Sequence, residues 1–182
     1  KHNDNDLKIV YLKKKNWIGN GQLIPSGPLR EKIENLKNYD VVFLNGKSDG
    51  ARTAEEMIHK INSQVKIFES HYEIKNLDEL DKNSNYLIFS GIGDPSSFRD
   101  ILSENNINVV KEKIFPDHYI YKKDDIKNIS DEAKKINAKI LTTEKDFMKL
   151  SNNDAEKINF LKIELKIAQE QNFIKFLNDK IN

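Results

Sequence analysis

Cysteine is absent from the 182 residues, which excludes disulfides and thiolate metal sites and fits a reducing compartment. No apolar run exceeds the length of a strand, so no transmembrane helix is expected, and no N-terminal signal pattern is visible. Neither sign of charge dominates: 30 Lys and Arg stand against 29 Asp and Glu, leaving no basic field that would point to nucleic acid. There is no internal repeat and no low-complexity linker. Arginine is scarce, confined to Arg30, Arg52 and Arg99, and the other cations are lysine. Glycine and proline are scarce as well, at seven and four.

One stretch concentrates what the rest lacks. Gly19-Asn-Gly-Gln-Leu-Ile-Pro-Ser-Gly-Pro-Leu-Arg-Glu31 holds three of the seven glycines, two of the four prolines and one of the three arginines. Glycine permits positive φ and close ligand approach, and proline locks φ, so their alternation specifies a rigid loop. That loop presents Arg30, whose forked guanidinium suits phosphate or carboxylate better than lysine does. As an ordinary helix start, Pro28 and Glu31 would be well placed, but Arg30 would gain nothing beside a positive helix end unless an anion sat there.

Short apolar runs at Leu7 to Leu12, Val41 to Leu44, Tyr86 to Phe89, Ile107 to Val110 and Ile140 to Leu141 alternate with helical stripes such as Ala54, Met57, Ile58, Ile61 and Ile126, Ile129, Ala133, Ile136. Asp94-Pro95 reads as a helix N-cap followed by proline in the first turn. Strands alternating with helices imply an α/β fold with mostly parallel sheets and flanking helices. Two segments, Phe68 to Ile74 and Ile114 to Tyr121, alternate apolar and polar residues and read as an exposed antiparallel pair bridging two lobes. The expected boundary lies near Ser63, giving residues 1–62 and 63–182.

Several motifs follow the first loop in order: Asn45-Gly46, Phe89-Ser-Gly-Ile-Gly-Asp-Pro95, Phe115-Pro-Asp-His-Tyr119 and Leu141-Thr-Thr-Glu-Lys-Asp146. With the Gly19 to Glu31 loop they resemble the tetraacyldisaccharide 4'-kinases, the lipid A 4'-kinases of Gram-negative bacteria. The resemblance implies the remainder of a P-loop-kinase lobe plus a second α/β lobe, joined by a two-stranded linker. It implies transfer of the γ-phosphoryl of ATP, with Mg2+, to the 4'-hydroxyl of a lipid A disaccharide precursor, peripherally at the cytoplasmic face of the inner membrane. The P-loop itself is not found: Gly46-Lys47-Ser48 imitates its second half, but position 41, where the pattern needs glycine, is Val41. The expectation is therefore a C-terminal part, inactive alone, with ATP and Mg2+ held mainly by a preceding half; the alternative is a non-catalytic α/β interaction module.

Asp117-His118 is the sharpest chemical candidate. Phosphoryl transfer to a hydroxyl requires a group to orient the acceptor and take its proton, and histidine titrates near neutrality. By resemblance His118, next to Asp117, is the catalytic histidine, which in the family works with an aspartate just after the P-loop that is not found in this sequence; the bland reading is a histidine on a strand edge. The resemblance also places Arg30, Glu31, Asn20 and Gly21 against the phosphates and disaccharide. Thr142 to Asp146 reads as a helix cap with acids complementing the dipole. His59 and His71 have no partners at metal-ligand spacing.

Overall fold

The structure, a computed structural model, describes residues 6–14, 32–46 and 51–181. The chain forms two compact units, residues 1–73 with 165–182, and Ile74–Glu164.

In the first unit β1 (Ile9–Lys13), β2 (Val41–Asn45) and β3 (Lys66–Ile74) run parallel, with β8 (Ile163–Ile167) beside β3 in the order β1-β2-β3-β8. Val42 and Leu44 turn one way, toward Ala54 and Ile58 of helix α1 (Ala51–Ile61). Phe43 turns the other way, beside Phe68 in the register of β2 with β3. There Phe173 of helix α6 (Glu170–Ile181) sets its ring edge-on at 5.0 Å from Phe43 and 5.1 Å from Phe68. Such pairs contribute about 0.5–1.5 kcal/mol beyond the area they bury.

The second unit is a four-stranded parallel sheet in the order β5-β4-β6-β7, built from β4 (Asn85–Ser90), β5 (Asn108–Ile114), β6 (Lys139–Thr143) and β7 (Ile158–Leu161). Successive strand residues face opposite ways. Tyr86 and Ile88 pack with Phe98 and Leu102 of α2 (Pro95–Glu104), while Leu87 and Phe89 pack with Ile126, Ile129 and Ala133 of α3 (Lys123–Lys135). A helix on each face is why residues 86–89 form an unbroken apolar run. The Asp94 cap is present, its carboxylate accepting from the Ser97 N–H. Both helices end in the same way: Asn106 and Asn137 take left-handed φ of 59° and 49°, and the N–H groups of Ile107 and Ala138 close back onto Leu102 and Ala133, the Schellman arrangement.

Two expectations are corrected. Residues 115–122 contain no strand: Pro116 has no N–H to donate, and His118 is left-handed with φ 60°. The antiparallel partner of β3 is instead β8, since the Lys75 N–H bonds Lys162 while the Ala168 N–H bonds Glu69, the partners moving in opposite directions. Second, the units divide at Glu73 rather than near Ser63, and the chain re-enters the first unit at Leu165. The strands in which the chain passes between units are β3 and β8, and the aromatic contacts of α6 hold the C-terminus to the first unit.

Candidate functional site

Strand β4 leads through α2 to β5 on one side, and β6 leads through the one-turn helices α4 (Glu144–Phe147) and α5 (Asn152–Ala155) to β7 on the other. Adjacent strands whose connections diverge form a switch point, and open α/β sheets bind ligands beyond the carboxyl ends of such strands. Three of the motifs read from the sequence meet at this end: Gly91 to Asp94 after β4, Phe115 to Tyr121 after β5, and Thr143 to Lys149 after β6.

Asp146 joins them from below. It is fully buried, and its Oδ2 accepts the Gly91 N–H at 2.9 Å and the Thr143 hydroxyl at 2.8 Å, while Oδ1 accepts from Lys149 Nζ at 2.8 Å. Burial pushes the Asp146 carboxyl up, but Lys149 and the Gly91 and Thr143 donors outweigh it and hold the group below the ordinary aspartate value. Thr143 also caps α4 by accepting the Asp146 N–H at 3.1 Å, and the Thr142 hydroxyl donates to the Phe89 carbonyl at 2.7 Å.

Gly91 then carries the constraint upward. Its carbonyl accepts the His118 N–H at 3.3 Å, and the Phe115 N–H bonds the carbonyl of Ser90 at 2.8 Å. A Cβ at Gly91 would lie 3.1 Å from both the Pro116 carbonyl oxygen and the Tyr121 hydroxyl, so only glycine lets the 115–121 loop come this close. Tyr121 stands edge-on to Phe89 and Phe115, 5.2 Å from each. Its hydroxyl is buried without a hydrogen-bond partner, and burial together with the Asp146 charge drives its pKa well above that of a free phenol.

His118 sits at the tip of this loop with its imidazole 77% exposed and Nε2 3.7 Å from Asp117 Oδ2. The other Asp117 oxygen, Oδ1, accepts from the His118 N–H at 2.9 Å and from Lys145 Nζ at 3.3 Å. Partial desolvation raises the Asp117 carboxyl, and the hydrogen bond it accepts from Lys145, together with the nearby charges and the His118 N–H, overrides it for a net lowering. Among described non-glycine residues, left-handed φ occurs at Asn106, Asn137 and His118. The two asparagines close helices, whereas His118 closes none and spends the conformational cost, of order 1–3 kcal/mol, on placing a side chain. The arrangement therefore presents an imidazole to an incoming group, backed by a carboxylate already held by a cation.

Of the residues singled out in the sequence, Asp117 and His118 lie together here. Asn20, Gly21, Arg30 and Glu31 lie outside the described residues. Lys145 and Asp146 were read as parts of a helix cap, and their contacts with Asp117 and Gly91 were missed; the one available signal was that a cap needs Thr143 but not the lysine or the buried acid. A separate cleft of about 480 Å³ in the first unit, lined by Glu55, His59, Gln64 and Glu69 among others, holds none of these motifs, and its Glu69 is already taken by Lys14 at 2.5 Å. The switch-point end is preferred because it gathers polar chemistry from three connections.

Fold and site together define an α/β protein that gathers polar side chains at the carboxyl ends of parallel strands. Comparison with known proteins makes this particular. Residues 4–182 match the model of the tetraacyldisaccharide-1-P 4'-kinase family. A tetraacyldisaccharide 4'-kinase of Pelagibacter ubique is 46% identical over 167 residues, covering 92% of this chain and 53% of that protein. Its counterpart in Rickettsia bellii is 40% identical over 155 residues, covering 81% and 44%. The crystal structure of an "apo" form LpxK from Aquifex aeolicus in complex with ATP superposes with a TM-score of 0.57 at 25% identity, over 97% of this chain and 53% of that one. The chain belongs to the tetraacyldisaccharide 4'-kinase family. It spans about half the length of the curated relatives it matches.

Proposed function

We propose that the protein to which this chain contributes transfers the γ-phosphoryl group of ATP to the 4'-hydroxyl of a tetraacyldisaccharide 1-phosphate, with His118 receiving the hydroxyl proton. The observation that carries this reading is the exposed His118 imidazole, held in a left-handed conformation by Gly91 and faced by Asp117. Neutral imidazole accepts a proton as the acceptor oxygen attacks, and the Asp117 carboxylate stands 3.7 Å from its Nε2. In-line displacement demands little covalent work from the protein, so orientation and charge placement carry most of the rate.

Arg30, Glu31, Asn20 and Gly21 are proposed to bind the phosphates and the disaccharide, the guanidinium of Arg30 gripping an anion through two bonds. Ile114, Ile120 and Met148 belong to the same end of the second unit and are 60%, 81% and 77% exposed, which supports an acylated substrate drawn from a lipid surface. Among the described residues no helix is long and apolar enough to cross a membrane; the proposed place of action is the cytoplasmic face of the inner membrane. The likeness to an ATP-complexed structure supports ATP as donor. ATP and Mg2+ are proposed to be held mainly by the half of the enzyme that precedes these residues in its relatives.

The test is transfer of labelled phosphate from ATP to tetraacyldisaccharide 1-phosphate by the full-length protein. Label in the 4'-phosphate is the expected result. No transfer by a folded full-length protein would overturn the proposal in favour of a non-catalytic module.

A further inference from the structure

Asp146 and Thr143 satisfy every structural need of the turn after β6: one anchors it to Gly91, the other caps it. Lys145, between them, takes no part in either task. Its side chain leaves the turn and places Nζ 3.3 Å from Asp117 Oδ1, 28 residues away in sequence. Because the neighbouring Asp146 is rooted in the core with no exposed surface, the Lys145 backbone is fixed relative to the Gly91 peptide that also receives the His118 N–H. Two routes thus run from one turn to one residue, a backbone route through Gly91 and a side-chain route through Asp117.

We propose that Lys145 is a positioning residue for His118, acting through Asp117: its ammonium holds one carboxylate oxygen so that the other faces the imidazole. The catalytic half of this claim rests on the kinase reading. Without Lys145 the Asp117 Oδ1 keeps only the His118 N–H, at 2.9 Å, and the carboxylate loses the one side chain that ties it to the turn after β6, so it faces the imidazole less of the time. The charged groups facing Asp117 are His118 on its own loop and Lys145 from the turn after β6; Gly93, whose backbone approaches it from the turn after β4, brings no charge. Lysine supplies a cation with rotatable donors, which arginine can replace at this exposed site more readily than methionine can.

The experiment uses the full-length protein carrying Lys145→Met or Lys145→Arg. The first readout is the titration of the Asp117 carboxyl by 13C NMR, assigned with Asp117→Asn. Lys145→Met is expected to raise the midpoint by about half a unit, the size of an exposed ion pair, and Lys145→Arg to leave it near the parent value. The second readout is turnover: Lys145→Met is expected to lower kcat about tenfold with KM within about twofold, and Lys145→Arg to recover most of the loss. An Asp117 midpoint indifferent to Lys145→Met would overturn the proposal, as would a shifted midpoint with unchanged kcat. If the parent protein transfers no phosphate, the kinase reading fails separately, and the carboxyl titration alone decides whether Lys145 holds Asp117.

Discussion

The two ends of the second unit's sheet are built from the same strands and treat polar groups in opposite ways. At the amino end Asp81 accepts from Lys139 Nζ at 2.9 Å, the Ser84 hydroxyl at 2.6 Å and the Asn83 N–H at 3.0 Å, while its backbone carbonyl accepts the Tyr86 hydroxyl at 3.2 Å. Asn108 and Asn85 pair across β5 and β4 at 2.7 Å, and the left-handed Asn106 and Asn137 close the helices that lead into β5 and β6. At the carboxyl end a carboxylate and an imidazole stand exposed, a tyrosine hydroxyl is buried unpaired, and left-handed backbone is occupied by His118. One end closes its hydrogen bonds and pins the strands. The other holds reactive groups open, and that difference is the physical case for placing function there.

The comparison can be broken most severely at His118. In the full-length protein His118→Ala is expected to lower kcat by about 10² to 10⁴, the range for loss of a general acid or base, with less change in KM and little change in melting temperature. Single-turnover phosphorylation and a thermal melt of the same variant check both halves, and a normal rate would leave the left-handed histidine without a purpose. Asp146→Ala comes next, with an expected loss of about 3 kcal/mol in denaturant unfolding, because it strands the Gly91 N–H and the Lys149 ammonium. Gly91→Ala is expected to cost about 1–3 kcal/mol by overpacking against the Pro116 carbonyl. A drop in turnover alongside it would show that displacing the 115–121 loop displaces His118.

The smallest effect belongs to the amino end. Asp81 has its pKa lowered to about 2, chiefly by the Ser84 hydroxyl and then by Lys139. A lowered pKa means the ionised form favours the folded state, so this contribution is present above the ordinary aspartate value near 4 and is lost as pH falls from there toward about 2. Asp81→Asn is expected to flatten that part of the profile of melting temperature against pH and to leave phosphoryl transfer unchanged. A change in transfer rate would blur the division between the two ends.

Much of the scaffold was legible because its signals are local. The runs Val41 to Leu44 and Tyr86 to Phe89 are apolar throughout since helices cover both faces, and the Asp94 cap lies next to the helix it starts. Asp117-His118 was legible as a motif. The segment from Ile114 to Tyr121 misled because alternation describes side-chain polarity, whereas strand formation also needs N–H donors and extended φ, which Pro116 and His118 do not provide. The domain boundary misled for a different reason: whether a terminal helix returns to the first unit depends on Phe43 and Phe68 offering it a surface, more than a hundred residues upstream.

By itself, then, the sequence determined the α/β alternation and the family, since periodicity, capping and motif order are written in neighbouring residues. Tertiary structure alone decided that Lys145 reaches Asp117 and that Asp146 grips Gly91. Those pairs are 28 and 55 residues apart, and the order of parallel strands, set by which faces the helices bury, is what brings them together.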